Sequence, residues 1–176
     1  MKKVIVTGHT SGLGLQIYNH FKNKENYTVI GISRSNGFDV EHNIEKVIQF
    51  VKDECPDYFF NNVYCHATQS TIIERLSEVT IVITSGSMAA DASEPSRQIN
   101  SYYNNKYIIE QTHKRVKKNN KLPMLLLKMG YLENYPDKEP VMYSEVLNGI
   151  DFWISNTRVS IIEWDNINYD KNFKRH

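Results

Sequence analysis

Six short apolar runs punctuate this chain, at Lys3 to Thr7, Tyr27 to Ile32, Tyr58 to Val63, Thr80 to Thr84, Met124 to Lys128 and Val159 to Glu163. Each is nearly continuous in apolar character, the pattern of strands buried on both faces of a parallel sheet. Between them the apolar residues recur at helical spacing, first at Leu13, Ile17 and Phe21, then on the stripe Ile44, Val47, Ile48 and Val51. Thr71 with Glu74 fits a capping box ahead of Ile72, Ile73 and Leu76, and Ser144 is placed to cap a helix carrying Val146, Leu147, Ile150 and Ile154. A long helical pattern from about Ser96 to Lys118 completes the set. Strand alternating with helix predicts an α/β protein with a doubly wound parallel sheet, right-handed crossovers and three layers, α/β/α.

The turn after the first run is the most informative stretch. Thr7-Gly8-His9-Thr10-Ser11-Gly12-Leu13-Gly14 follows Val4-Ile5-Val6 directly and opens a helix. Glycine at a strand end permits a tight turn, and the two later glycines let backbone and helix approach an anion that a Cβ would exclude. The first N–H groups of the helix then face that anion, where the helix dipole favours it. The pattern predicts a Rossmann-like dinucleotide site, with Gly8, Thr10, Ser11, Gly12, Leu13 and Gly14 around the pyrophosphate at the carboxyl ends of the strands. The Gly-Lys-Ser/Thr ending of a nucleoside-triphosphate loop is missing, which argues against ATP or GTP.

Composition narrows the partners. At 176 residues, 40% apolar and 23% charged, the chain is expected to form a single domain over residues 1–176. A formal net charge of +1 provides no general field for nucleic acid or an anionic membrane. No apolar run approaches the ~20 residues of a membrane span, and the N-terminus runs straight into a strand, so the expected location is cytoplasmic. Cys55 and Cys65 have no metal-ligand spacing and are expected to be buried thiols. The histidines His9, His20, His42, His66, His113 and His176 show no metal-type grouping, and only His9 lies near the predicted site. The segment Tyr131 to Val141 reads as a loop, and the basic tail Tyr169 to His176 as frayed or as an arm on a neighbour.

Within the long helical pattern, Tyr102 and Lys106 stand four apart and project from one face. A phenol with a free pKa near ~10 is a poor base at neutral pH, and a close ammonium favours its charged form. Such a pair can deliver or take up the proton that accompanies a hydride. Tyr103 and Tyr107 fall with Ile99 on an apolar face that suits core or dimer contact.

The glycine turn Thr7 to Gly14 and the later Tyr102-x-x-x-Lys106 together resemble the short-chain dehydrogenase/reductase family. Further matches follow in order. Asn61-Asn62-Val63-Tyr64 is similar to the family's Asn-Asn-Ala-Gly motif, with the final Ala-Gly replaced, so the resemblance places Asn62 and Val63 at the cofactor. Val82-Ile83-Thr84-Ser85-Gly86-Ser87 resembles the strand with the catalytic serine, which falls at Ser85 by position or else at Ser87. Met129-Gly130 sits where members often carry Pro-Gly, which puts Gly130 near the nicotinamide, and Tyr131 and Met88 are candidates to line the pocket.

In this frame the end of the second strand meets the adenosine ribose. Arg34, flanked by Ser33 and Ser35, stands where an acidic residue would bind the ribose diol of NAD, and it suits the 2′-phosphate of NADP. Asp39-Val40 lies where members place an Asp-Val pair on the adenine, and only a short turn separates it from Arg34, so the family's usual helix between the second and third strands is expected to be missing. The stretch from Asn62 to Ser85 is too short for the long helix that carries a relay asparagine, and no Asn occurs between Val63 and Ile99. The resemblance implies a shortened NADP(H)-dependent oxidoreductase for a small carbonyl or alcohol, with Tyr102 as acid/base, Lys106 on the nicotinamide ribose, Ser85 on the carbonyl oxygen, and room for a homodimer or tetramer. The alternatives are a non-catalytic NADP-binding sensor or partner-binding module on the same fold, and a sugar-nucleotide epimerase or dehydratase, which would need a substrate domain.

Overall fold

The structure, a computed structural model, describes residues 1–132 and 140–164. Most of the predicted loop, including Pro136, and the whole predicted tail with His176 lie outside the described residues. All six apolar runs form strands: β1 (Lys2–Thr7), β2 (Tyr27–Ile32), β3 (Tyr58–Asn61), β4 (Ile81–Ser85), β5 (Leu125–Met129) and β6 (Ile161–Trp164). They make one sheet in the order β2-β1-β3-β4-β5-β6, every pair parallel. The chain steps outward from β1 to β2, returns across β1 to β3, and then proceeds in the other direction. The reversal leaves a crevice at the carboxyl ends of β1 and β3, the place where open α/β sheets bind ligands.

The helices are α1 (Gly12–Lys22), α2 (Ile44–Glu54), α3 (Thr68–Leu76), α4 (Glu94–Ile99), α5 (Ser101–Lys117) and α6 (Tyr143–Asn156). Successive strand residues point to opposite layers. Val4, Val6, Tyr58, Phe60, Leu125 and Leu127 pack with Ile17 and Phe21 of α1 and Val146, Ile150 and Trp153 of α6. Ile5, Phe59, Val82 and Leu126 pack on the other face with Val47 and Val51 of α2, Ile72 and Leu76 of α3, and Ile109 of α5. The three-layer α/β architecture is therefore the predicted one, with both faces of the sheet covered.

Several local expectations are corrected. The pattern from Ser96 to Lys118 is two helices, because Asn100 leaves helical geometry and its Oδ1 accepts the Tyr102 N–H at 3.0 Å. Ile99 therefore ends α4 and is 90% exposed, so it shares no single helix face with Tyr103 and Tyr107 and is not a core residue; Tyr107 carries the Arg97 guanidinium 4.1 Å from its ring centre. Thr71 sits inside α3, its hydroxyl turned back to the Ala67 carbonyl, and the helix starts at Thr68. Ser144 lies inside α6; Glu145 closes that end by accepting from the Met142 N–H at 2.9 Å. Cys55 is exposed at the left-handed end of α2 (φ 44°), and Cys65 is half-buried, so neither is the buried thiol expected.

A single 3-10 turn, Arg34–Asn36, joins β2 to Asp39, the short link read from the sequence, but the helix expected to be missing between the second and third strands is present: α2, built on the apolar stripe Ile44, Val47, Ile48 and Val51, follows that link and provides the crossover to β3. On β5, Lys128 is buried and pairs with Asp91 at 2.5 Å and with Glu110 of α5 at 3.2 Å. Glu110 follows Lys106 by one helical turn, so this buried pair anchors the helix that carries the Tyr102–Lys106 couple.

Candidate functional site

The crevice is built first from backbone. Thr7 Oγ1, at the end of β1, donates to the Phe60 carbonyl at 2.9 Å and accepts from the Asn62 and Val63 N–H groups at 2.8 and 3.2 Å. One buried hydroxyl thus ties the glycine turn to the end of β3. Gly8 takes a left-handed φ of 66° and bonds its N–H to the Ile32 carbonyl at 2.9 Å, which ties the same turn to β2. A Cβ on Gly8 would lie 2.8 Å from Val63 Cγ2, and one on Gly14 would lie 2.2 Å from the Gly8 carbonyl oxygen. Glycine is therefore required at both positions by space, and at Gly8 by conformation as well.

The mouth of this turn suits an anion. Thr10, Ser11 and Gly12 are exposed, Ser11 precedes α1 in extended geometry without capping it, and the first turn of the helix holds no acidic residue. Among the described residues no side chain caps this end, so the leading N–H groups of α1 face outward, an arrangement that suits an anion. Leu13 is buried and pins the helix to the sheet, and the ring of His9 packs against Gly31 and lies 5.3 Å from that of Tyr18.

From this cradle the predicted residues form a continuous path. Asn62 reaches toward Gly14, and its Oδ1 accepts the Ser85 hydroxyl at 2.5 Å. The Ser85 carbonyl accepts from Lys106 Nζ at 3.3 Å. Lys106 is buried, and burial pulls its pKa down to about 8. Its ammonium lies 5.8 Å from the ring centre of Tyr102, which is 39% exposed. Ser87 accepts from the Ala89 N–H at 3.1 Å and starts the 3-10 turn Met88–Asp91. The Ser85 hydroxyl is thus spent on Asn62, whereas that of Ser87 acts only as an acceptor among these contacts.

Two residues in this path were not among the expected site residues. Tyr64, in place of the motif glycine, lays its ring 4.8 Å from Lys106 Nζ and 5.2 Å from the Tyr102 ring, and its hydroxyl accepts from Asn105 Nδ2 at 3.1 Å. Gln69, fully buried near the start of α3, accepts from Lys106 Nζ at 3.2 Å.

At the end of β2 the side chains are more exposed. Arg34 is exposed at the end of β2, beside Ser33 and Ser35, whose hydroxyls share a hydrogen bond of 2.8 Å. Lys46 Nζ closes the same turn from α2, donating to the Gly37 carbonyl at 2.8 Å. Asp39 accepts from the Glu41 N–H at 2.9 Å and from His42 Nδ1 at 3.1 Å, contacts that hold its carboxyl below the usual range, while the Val40 side chain is buried in the core. Asp39, Glu41 and His42 thereby bring potential metal-binding atoms within 4.8 Å of one another, a grouping the sequence did not suggest. Gly130 bonds to the Trp164 carbonyl at 3.0 Å at the β5–β6 edge, and Tyr131 beyond it is 40% exposed.

No protein-family model matches the chain, and no curated protein is similar to it in sequence. Its fold, however, is similar to that of solved enzymes. dTDP-4-dehydrorhamnose reductase from Yersinia enterocolitica superposes with a TM-score of 0.73 at 14% identity, over 93% of this chain and 74% of that one. The dTDP-4-dehydrorhamnose reductase of Bacillus anthracis, solved in complex with NADP, gives 0.71 at 16% identity, over 94% and 75%. A small-chain dehydrogenase in complex with NADPH gives 0.68 at 16%, over 93% of this chain and 96% of that one. At these identities the likeness establishes the Rossmann-like fold. Among the described residues, no helix is long and apolar enough to cross a membrane.

Proposed function

We propose that this chain is an NADP(H)-dependent oxidoreductase of short-chain dehydrogenase type that interconverts a small carbonyl compound and its alcohol. The observation that carries the reading is the joining of the glycine cradle, through Asn62 and Ser85, to Lys106 and Tyr102 on α5. The NADP and NADPH complexes of two proteins similar in fold support the choice of cofactor.

When bound, NADPH supplies the hydride. The backbone from Gly8 to Gly14 and the N-terminus of α1 would hold its pyrophosphate, and Arg34 with Ser33 and Ser35 would pair with the 2′-phosphate. Asp39 and Val40 would border the adenine, and Asn62, Val63 and Gly130 would flank the nicotinamide side. Tyr102 Oη donates a proton to the substrate oxygen, which gathers negative charge as the carbonyl is reduced. The Lys106 ammonium beside the ring stabilises the phenolate left behind, and it is the group that would hold the nicotinamide ribose hydroxyls. A serine at the end of β4 holds the substrate oxygen: Ser85 by position, after exchanging Asn62 for substrate, or Ser87, whose hydroxyl hydrogen is uncommitted in the bonds described above.

One observation favours a second reading. Tyr64 covers the Lys106 ammonium and Asn62 occupies the Ser85 hydroxyl, as they would in a protein that binds NADP without turning over. Calorimetry with NADPH and a carbonyl panel followed at the nicotinamide absorbance decide between them. An enzyme binds and oxidises NADPH, and Tyr102→Phe keeps the binding and loses the oxidation. Binding without oxidation across the panel gives the sensor, and no affinity for either nicotinamide dinucleotide removes both readings.

A further inference from the structure

Lys106 is a buried cation whose described hydrogen-bond acceptors are both uncharged. Its Nζ donates to Gln69 Oε1 at 3.2 Å and to the Ser85 carbonyl at 3.3 Å. The titratable groups beside it are the phenols of Tyr64 and Tyr102, which present ring faces. A cation held by so few acceptors takes its position from them.

Of the two acceptors, Gln69 is the one whose orientation is determined chemically. Its Nε2 donates to the Asn61 carbonyl at 2.9 Å and to the Ser85 carbonyl at 3.2 Å, so both N–H groups are committed. A reversed amide would set its oxygen against two carbonyl oxygens and its NH₂ against an ammonium, three repulsive contacts in place of three bonds. The Gln69 backbone is fixed as well, because its carbonyl accepts from Asn61 Nδ2 at 2.9 Å. The amide thus spans the ends of β3 and β4 and can offer α5 only an acceptor.

We infer that Gln69 is a positioning residue that sets where the Lys106 ammonium stands beside Tyr102, an inference that rests on the proposed role of that pair. A purely structural amide would bridge Asn61 to Ser85 equally well and leave Lys106 indifferent to it. The two roles differ in what they do to the lysine.

The test is a pH titration of Lys106 in the full chain by NMR of 13Cε-lysine, its resonance assigned by disappearance in Lys106→Arg. Gln69→Leu removes the amide, and Gln69→Met keeps the length of the side chain while removing the acceptor. The expected result is a Lys106 midpoint displaced by about one pH unit or more, downward where the ammonium stays buried with one acceptor fewer and upward where it escapes to water. An unchanged midpoint in either folded variant overturns the inference, and Gln69→Met decides alone where Gln69→Leu does not fold. The titration needs no cofactor, so a failure to bind NADPH would end the proposed function while Gln69 is still judged on its own. With turnover in hand, the pH profile of kcat moves in the same direction as the Lys106 midpoint.

Discussion

Asn100 and Tyr102 are joined by a hydrogen bond of 3.0 Å from the Tyr102 N–H to the Asn100 side chain, so the residue that interrupts the long helical pattern also fixes the start of α5. Tyr102 stands in the first turn of that helix, where a frayed end would displace its phenol. Loss of an N-cap side chain costs about 1 kcal/mol. Asn100→Ala is therefore expected to lower stability by that amount in urea denaturation and to reduce kcat at least tenfold, with NADPH affinity unaltered because the cradle is on α1. Asn100→Asp, which keeps the cap, should retain both. Full activity in Asn100→Ala would detach the cap from the chemistry.

Lys106 costs stability where it stands. An amine held near 8 by burial rather than at its ordinary 10.5 disfavours the folded charged form by about 3 kcal/mol at neutral pH. Between pH 8 and 10.5 the unfolded chain holds a proton that the folded chain has released, so this group's contribution to stability rises with pH across that window. Lys106→Met removes the buried charge and strands one acceptor, Gln69 Oε1, because the Ser85 carbonyl keeps its bond from Gln69 Nε2, for a net gain of about 1–2 kcal/mol at pH 7. A thermal melt should show the gain, and the carbonyl assay a loss of turnover. A variant that is both less stable and fully active contradicts the reading of this lysine as a strained functional group.

The sheet and the glycine turn were readable in the sequence because both are local: a strand buried on two faces declares itself in a handful of consecutive residues, and the cradle in eight. The break at Asn100 was less so, since the apolar period continues through it, although Pro95 in the first turn of α4 and an N-cap residue type at Asn100 were the available signs. Gln69 and Tyr64 were illegible for a different reason. Each acts on a residue about forty positions away, and such a contact exists only after β3, β4 and α5 are laid side by side. Cys55 shows the same limit, because its exposure follows from a left-handed turn at the end of α2 that no apolar pattern announces.

Arg34 is exposed and enters none of the hydrogen bonds or ion pairs described above, which leaves its guanidinium available to a 2′-phosphate. A bond from arginine to a charged group contributes about 1.5–3 kcal/mol. Arg34→Ala is expected to raise the Kd for NADPH by roughly ten- to a hundredfold and to leave the Kd for NADH within a factor of about two. Calorimetry on both cofactors measures the ratio. Equal losses for the two would assign Arg34 a structural part in the β2 turn.

His113 sets the acid limit of the fold. It is fully buried on α5, its Nε2 bonds the Ser160 carbonyl at 3.0 Å just before β6, and burial holds its pKa down to about 4. Of the charged groups around it, Glu110 favours its protonation, while Lys114 and Lys117 oppose it. Folded His113 therefore stays neutral where the unfolded side chain, near 6.5, takes up a proton. Stability from this residue is complete above pH 6.5, falls as pH drops toward 4, and changes no further below that. The loss across the window is about 3 kcal/mol. Carboxylates with lowered values, such as Asp151 between His20 and Lys24, weaken the fold only at more acid pH, so the two effects separate. Urea denaturation at pH 7, 5.5 and 4.5 should trace the decline, and His113→Gln, which keeps a donor for Ser160 and cannot titrate, should flatten it. Equal slopes in the two proteins would place the acid sensitivity elsewhere in the chain.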